Sequence, residues 1–189
     1  MQFDLIYIVI LIINAIYFFL PAYISNLSGL VFGGGKPIDF GKNFFDKRRI
    51  IGDGVTWKGL IYGVIISTLV GGLQGYAYIN FFIGTFIADM PGFMITNILN
   101  GLIIGFLLGL GALGGDAVGS FIKRRLNISR GKPAPILDQL DFFIGAVILV
   151  SIVLNVDANI IVTGAIITLV LHLITNTIAY LLKIKSVWY

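Results

Sequence analysis

Long apolar stretches constrain this chain more than any other feature of its sequence. A helix needs about 20 mostly apolar residues to cross the hydrocarbon core of a bilayer, which is about 30 Å thick. Five stretches are candidates, at about residues 3–23, 59–79, 92–113, 137–156 and 159–182. The first is expected to end at a break near Pro21, and the fourth is long enough only if its helix begins near Leu137. The sequence therefore predicts an all-α polytopic membrane protein with five transmembrane helices, forming one integral membrane domain over residues 1–189.

The composition narrows the chemistry that such a protein could perform. Apolar residues make up 58% of the chain and charged residues 12%, against about 45–50% and 25% in average proteins. This excludes a disordered chain and argues against a soluble enzyme. The chain has no Cys, a single His and no Glu, which excludes thiolate zinc sites and sites built from several histidines. Its acidic chemistry therefore depends on Asp alone.

The basic residues are sorted to one side of the predicted bundle. All 13 Lys and Arg residues fall in two loops, at about residues 33–58 and 114–141, or after the fifth stretch. With five spans, these three segments share one face of the membrane. The positive-inside rule makes that face cytoplasmic and places the N-terminus outside. We expect a cell-membrane protein whose two cytoplasmic loops are the functional ones. The segment at residues 81–89 is too short to span and is expected to be interfacial or re-entrant.

Acidic residues are interleaved with the basic ones in both loops. A carboxylate contributes little to topology and costs about 2.5–3.5 kcal/mol at the centre of a membrane helix. Each loop nevertheless contains three of them: Asp39, Asp46 and Asp53 in the first, and Asp116, Asp138 and Asp141 in the second. Mg²⁺ is bound by one or two protein carboxylates together with water and substrate phosphates, and Lys or Arg balances the remaining phosphate charge. The alternative is that these carboxylates only pair with nearby basic side chains.

The spacing in the second loop favours the metal interpretation. In Gly-Asp-x3-Ser-x2-Lys-Arg, at residues 115–124, helical periodicity places Asp116, Ser120 and Lys123 on about one face. Asp138 and Asp141 are three residues apart and share a face in the same way. We predict Asp116 and Asp138 as metal ligands, with Asp141 as a third.

These motifs resemble the signature of the CDP-diacylglycerol synthase superfamily. The closer resemblance is to its small archaeal branch, the CDP-archaeol synthases, and it covers essentially the whole chain. Shared elements are Pro-Ile-Asp at residues 37–39, Asp-x-Arg-Arg-Ile-x-Gly-Asp-Gly at 46–54, Thr-Trp at 56–57, the Asp-x3-Ser-Phe-x-Lys-Arg-Arg run at 116–125 and Leu-Asp-Gln-Leu-Asp-Phe at 137–142. The tail resembles that branch in His172, Asn176, Tyr180 and Trp188.

The resemblance implies a Mg²⁺-dependent cytidylyltransferase. CTP and an unsaturated archaeal ether-lipid phosphate, 2,3-bis-O-geranylgeranyl-sn-glycerol 1-phosphate, would give a CDP-lipid and pyrophosphate for the synthesis of polar membrane lipids. The implied catalytic residues are Asp116, Lys123, Asp138 and Asp141. The implied CTP- or phosphate-binding residues are Arg48, Arg49, Thr56, Lys58, Ser120, Lys123, Arg124, Arg130 and Lys132.

Other classes of membrane protein fit the sequence less well. A small transporter would place ionisable residues in the middle of its spans, whereas here the middles are nearly empty of charge. A subunit that only binds anionic lipid would explain the basic face but not the six Asp residues interleaved with it. We expect membrane lipid, the lipid phosphate and CTP as partners and no nucleic acid, and the sequence leaves the oligomeric state open.

Overall fold

Five α-helices make up most of the chain that the structure describes. The computed structural model describes residues 2–85, 94–129, 132, 134–181 and 183, and within these residues no β-strand forms. The helices are α1 (Gln2–Val31), α2 (Trp57–Ala77), α3 (Ile98–Arg125), α4 (Leu137–Val150) and α5 (Ala158–Leu181). A short π-helical segment, Tyr78–Phe82, extends α2. The all-α prediction is confirmed.

Helix bounds differ from the sequence prediction in three places, and one of them is α3, which runs over Ile98–Arg125 rather than over about residues 92–113. The predicted break at Pro21 is wrong, because α1 continues through this residue to Val31; proline is tolerated inside membrane helices where neighbouring groups satisfy the freed backbone. The fourth helix begins at Leu137 as predicted but ends at Val150, after 14 residues. At 1.5 Å per residue α4 is about 21 Å long, which is too short to span a bilayer alone. The other four helices are long and apolar enough to do so. Of the predicted segment at 81–89, residues 86–89 lie outside the described residues.

Glycines set the distance between neighbouring helices. A Cβ atom on Gly71 would clash with the backbone of Gly101, and one on Gly115 would clash with the carbonyl of Asp141. Small residues at such positions allow helix backbones to approach closely in lipid. The pairs of α2 with α3 and of α3 with α4 therefore pack backbone against backbone.

The contacts between helices also fix their relative directions. Gly29 meets Gly59, and further from the loops Tyr17 pairs with Gln74, so α1 and α2 are antiparallel. The same kind of pairing makes α2 antiparallel to α3 and α3 antiparallel to α4. In contrast, Tyr23 contacts Thr168, and the ring of Phe19 lies beside Gly164, so α5 runs parallel to α1. The loop at residues 32–56, the loop at 126–136 and the end of α5 therefore lie on one face, which we call the loop face.

Candidate active site

The last turns of α3 bring the predicted polar residues to the loop face. Asp116 is partly buried, and among the residues that the structure describes none forms a hydrogen bond or ion pair with its carboxylate. Ser120 is 9% exposed and lies one turn further along the helix. Lys123 follows in the final turn, where its ammonium interacts favourably with the carbonyl end of the helix. Because α3 is helical throughout this segment, the prediction that these three residues share one helical face is confirmed.

A tight turn directs the start of α4 toward Lys123. Ile136 has a φ of +69°, a conformation that β-branched residues rarely adopt, and Leu137 N–H donates across it to the carbonyl of Pro135 at 2.8 Å. Immediately afterwards, the Asp138 carboxylate accepts hydrogen bonds from Lys123 Nζ at 2.6 Å and from the N–H of Ala134 at 2.8 Å. Asp138 therefore closes the second loop by joining α4 to α3.

Asp141 is the most buried carboxylate of the second loop. It is 9% exposed and lies against Gly119, where any Cβ atom would clash with it. Its carboxylate accepts a hydrogen bond from the N–H of Phe142 at 2.7 Å. Asp116, Asp138, Asp141 and Lys123 are close enough to interact electrostatically. The structure thus brings all four predicted catalytic residues together.

The first loop is organised around Asp39. This buried carboxylate accepts hydrogen bonds from Arg49 Nη2 at 2.9 Å and from the backbone N–H groups of Gly41, Ile51 and Gly52 at 2.9–3.0 Å. Burial by itself disfavours the charged form, but these hydrogen bonds outweigh it and hold the pKa of Asp39 well below its usual range. Gly52 has a φ of +109°, which favours glycine. Asp39 is therefore the centre of a folded loop.

Arginines fasten the first loop onto the end of α3. Arg48 Nη1 donates to the carbonyl of Arg125 at 2.9 Å, and Arg125 Nη2 donates to the carbonyl of Arg49 at 2.6 Å. Arg124 Nε donates to the carbonyl of Ile51 at 3.1 Å. These contacts hold the two loops against each other at the loop face.

Several predicted phosphate-binding residues have partners within the protein. Arg49 bridges Asp39 and Asp53, while Arg48 and Arg124 donate to backbone carbonyls. Thr56 is the N-cap of α2, and its hydroxyl accepts a hydrogen bond from the N–H of Gly59 at 3.1 Å. Lys58 and Lys132 are exposed, and Arg130 lies outside the described residues. Phosphate binding by these residues stays a prediction.

A polar cavity joins Asp116 to the interior of the bundle. It has a volume of about 480 Å³ and lies between α1, α2, α3 and α5. Besides Asp116 and Thr56, its lining includes Tyr23, Asn26 and Thr175. Sequence reasoning did not assign these three residues to the site, because polar side chains in membrane spans are typical of hydrogen bonds between helices. Tyr23 does share such a contact with Thr168, at 3.0 Å.

The carboxylates fit the way in which proteins bind Mg²⁺. Within the described part of the chain, no group of three His, Cys, Asp or Glu side chains is arranged to hold a metal ion. Mg²⁺ does not need such a group, because one or two carboxylates suffice when substrate phosphates and water complete its shell. Among the described residues, Asp116 forms no hydrogen bond or ion pair and Asp141 accepts only from a backbone N–H, whereas Asp138, the other predicted ligand, is paired with Lys123. Asp116 and Asp141 therefore meet that requirement best, and metal binding by all three carboxylates stays a prediction.

Comparison with known proteins identifies relatives over almost the full length. Residues 7–189 match the CarS-like CDP-archaeol synthase family. The CDP-archaeol synthase of Methanocaldococcus jannaschii is 49% identical over 179 residues, covering 95% of this chain and 98% of the relative. That of Methanothermobacter thermautotrophicus is 52% identical over 178 residues, covering 94% of each. A solved structure of an intramembrane enzyme for archaeal membrane lipid biosynthesis is 37% identical, with a TM-score of 0.72 over 87% of this chain and 94% of that one.

Proposed function

Since the chain belongs to the CDP-archaeol synthase family, it is a cytidylyltransferase that uses CTP to form CDP-archaeol, and we propose that its active site is the acidic cluster at the loop face. We further propose that the lipid substrate is 2,3-bis-O-geranylgeranyl-sn-glycerol 1-phosphate and that Mg²⁺ is required. In this proposal the loop face is the cytoplasmic side of the cell membrane.

One observation carries the assignment of the site. Among the six Asp residues of the loops, Asp116 forms no hydrogen bond or ion pair with any residue that the structure describes, although it is partly buried at the end of a membrane span. A partly buried carboxylate that no hydrogen bond or ion pair compensates is costly, and this supports a cation as its partner in the working enzyme. Asp141 lies nearby, and among the described residues its carboxylate accepts a hydrogen bond only from a local backbone N–H.

The reaction needs positioning and charge neutralisation more than it needs acid–base chemistry. An oxygen of the lipid phosphate attacks the α-phosphorus of CTP in line, and pyrophosphate leaves. A phosphate monoester is already an anionic nucleophile near neutral pH, so the site needs no general base. Bound Mg²⁺ would supply Lewis-acid stabilisation of the phosphate charge, held by Asp116 and Asp141. The chain's own residues hold both substrates in line.

Lys123 and Asp138 provide the remaining charges. In the structure the Lys123 ammonium is paired with Asp138, which keeps it ordered beside the two metal-binding carboxylates. We expect the oxygens of the triphosphate to compete for this ammonium when CTP binds. Ser120 would donate a hydrogen bond to a phosphate from the same face of α3, and the exposed Lys58 would neutralise charge at the mouth of the site.

The polar cavity gives the head groups a place inside the membrane domain. Its volume of about 480 Å³ falls within the range of ligand pockets, about 300–1,000 Å³. Asp116 lines it, so a phosphate bound there would lie next to the proposed metal site. A transport role is not favoured, since the family is enzymatic and the acidic cluster lies at one face rather than along a path across the spans.

An assay of the purified protein tests the proposal. The protein in detergent is given labelled CTP and the geranylgeranyl-ether glycerol phosphate, with and without Mg²⁺ and a chelator. We expect a nucleotide-linked lipid and pyrophosphate that both disappear with the chelator. Asp157→Asn is a matched control on the opposite face, because Asn also caps helices well and Asp157 precedes α5. A chelator-resistant product would contradict the metal proposal, and absence of any product would contradict the function.

A further inference from the structure

An apolar groove lies between α3 and α4, on the opposite side of α3 from the polar cavity. Its volume is about 500 Å³, and its walls include Leu110, Val118, Ile144 and Ile148. Val118 and Ile148 are 58% and 64% exposed, so the groove opens sideways toward the hydrocarbon of the bilayer. Helical periodicity places Val118 about half a turn from Asp116. The two recesses therefore offer very different environments to a substrate.

Glycine forms the floor of this groove. Gly111 and Gly115 are in backbone contact with α4, which closes the groove on one edge. Gly114, in contrast, has no atom within 4 Å of the place where a Cβ would be. A Cβ atom at position 114 would therefore project into the groove without colliding with the described part of the protein.

The groove is continuous with the proposed active site. Its loop-face end reaches Asp141, whose carboxylate interacts with Asp116, Asp138 and Lys123. A lipid whose phosphate reacts at this cluster must extend its chains from there into the membrane. The polar cavity suits such a chain less well than the groove does, because Tyr23, Asn26 and Thr56 are among its lining residues and a chain would remove them from water.

We propose that the α3–α4 groove binds one isoprenoid chain of the lipid phosphate, and that Gly114 sets the width available to it. The inference rests on the proposed function, because the acidic cluster fixes where the phosphate lies. β-Branched residues such as Val118, Ile144 and Ile148 give the groove a ridged wall that suits a methyl-branched chain. Chain selection is thus assigned to a surface distinct from the one that binds the nucleotide.

The test measures chain selectivity rather than activity alone. Wild type, Gly114→Leu and Val118→Trp are assayed in one detergent with the geranylgeranyl-ether phosphate and with a glycerol phosphate carrying two short ether chains. Filling the groove should lower kcat/KM for the long-chain substrate about tenfold or more, which is the effect of about one misplaced methylene group in an apolar pocket. The short-chain kcat/KM and the KM for CTP should change little. Ile65→Phe adds bulk to an exposed position on α2 and should leave both substrates unchanged.

The outcomes separate this inference from the proposed function. If wild type makes CDP-lipid but both groove variants keep its ratio of long-chain to short-chain kcat/KM, the groove proposal is overturned. An equal loss on both substrates overturns it too, because that would indicate a structural role. A changed oligomeric state with unchanged selectivity would instead identify the groove as a contact between two copies. If Gly114→Leu does not yield folded protein, Val118→Trp decides alone, since its side chain is already exposed. Absence of product from wild type would contradict the proposed function itself.

Discussion

The two loops contain equal numbers of carboxylates but use them differently. In the first loop, Asp39 and Asp53 pair with Arg49, and Asp46 pairs with Arg125. In the second, Asp138 pairs with Lys123, whereas within the described residues Asp116 has no hydrogen bond or ion pair and Asp141 accepts only from its neighbouring backbone N–H. The comparison shows that an acidic residue beside basic ones can be either a structural tie or a binding group. What separates the two cases is whether the folded chain already supplies its partner.

Removing the charge of Asp116 should have the largest effect. Asp116→Asn keeps the shape of the side chain but removes the anion that is proposed to bind the metal, so CTP-dependent pyrophosphate release should fall by about 10³-fold or more. Asp53→Asn removes a charge from the first loop and is the matched comparison, with an expected change of less than about threefold. Both are measured as initial rates on protein that elutes normally by size exclusion. Similar rates for Asp116→Asn and wild type would refute the assignment of the second loop as catalytic.

Asp39→Asn should act on stability instead. The change leaves Arg49 and three backbone N–H groups around a neutral amide, and we expect a cost of about 2–3 kcal/mol in the free energy of unfolding of the first loop. Trypsin measures this opening, because the loop contains Lys42, Lys47 and Arg48. The rate of cleavage should rise by about 30-fold or more when opening limits it.

The exposed partner of the same arginine is the control for this measurement. Asp53 is 52% exposed at its side chain and 2.8 Å from Arg49, so Asp53→Asn should cost less than about 1 kcal/mol. If the two variants were cleaved equally fast, burial would not be what makes Asp39 important. That result would contradict the conclusion that Asp39 organises the first loop.

The sequence predicted much of this arrangement for identifiable physical reasons. Apolar length gives the helices, and the sorting of basic residues gives the shared loop face, because both depend on local composition. Spacing on one helix gives the Asp116–Lys123 face for the same reason. The division of roles between Asp39 and Asp116 could not be predicted, since it depends on hydrogen bonds from Gly41, Ile51 and Gly52 that form only when the loop folds.

Arg48 and Arg49 also have partners that could not be predicted from the sequence. Arg48 and Arg49 are adjacent basic residues, which in sequence are equally suited to bind phosphate. In the structure Arg48 donates to the carbonyl of Arg125, at the end of α3, whereas Arg49 donates to Asp39. Nothing in local composition indicates a carbonyl 77 residues away as the partner of Arg48.

A smaller effect is expected from Arg48 itself. Arg48→Gln removes a tie between the loops but, if the guanidinium is structural, should raise the KM for CTP by less than about threefold, since exposed interactions of this kind contribute little. Lys123→Gln, the corresponding change in the second loop, should raise it by about tenfold or more, because hydrogen bonds to charged groups are stronger. Initial rates over a range of CTP concentrations give both values. A larger effect for Arg48→Gln would make the first loop part of the triphosphate site.

The smallest expected effect is that of acid, which should loosen the first loop by protonating Asp39. The pKa of Asp39 is lowered on folding, so its ionisation stabilises the folded loop at every pH above the unfolded value of about 3.9. That contribution is lost as the pH falls from there toward the lower folded pKa, and it is constant between pH 5 and 8. Trp57 reports on the loop because its ring lies 6.1 Å from that of Phe40. In a Trp188→Phe background, which leaves Trp57 as the sole tryptophan, its fluorescence should be flat from pH 8 to 5 and change below about pH 4. The same titration of Asp39→Asn should lack that acid transition, and a transition of unchanged size would show that another group, and not Asp39, holds the loop.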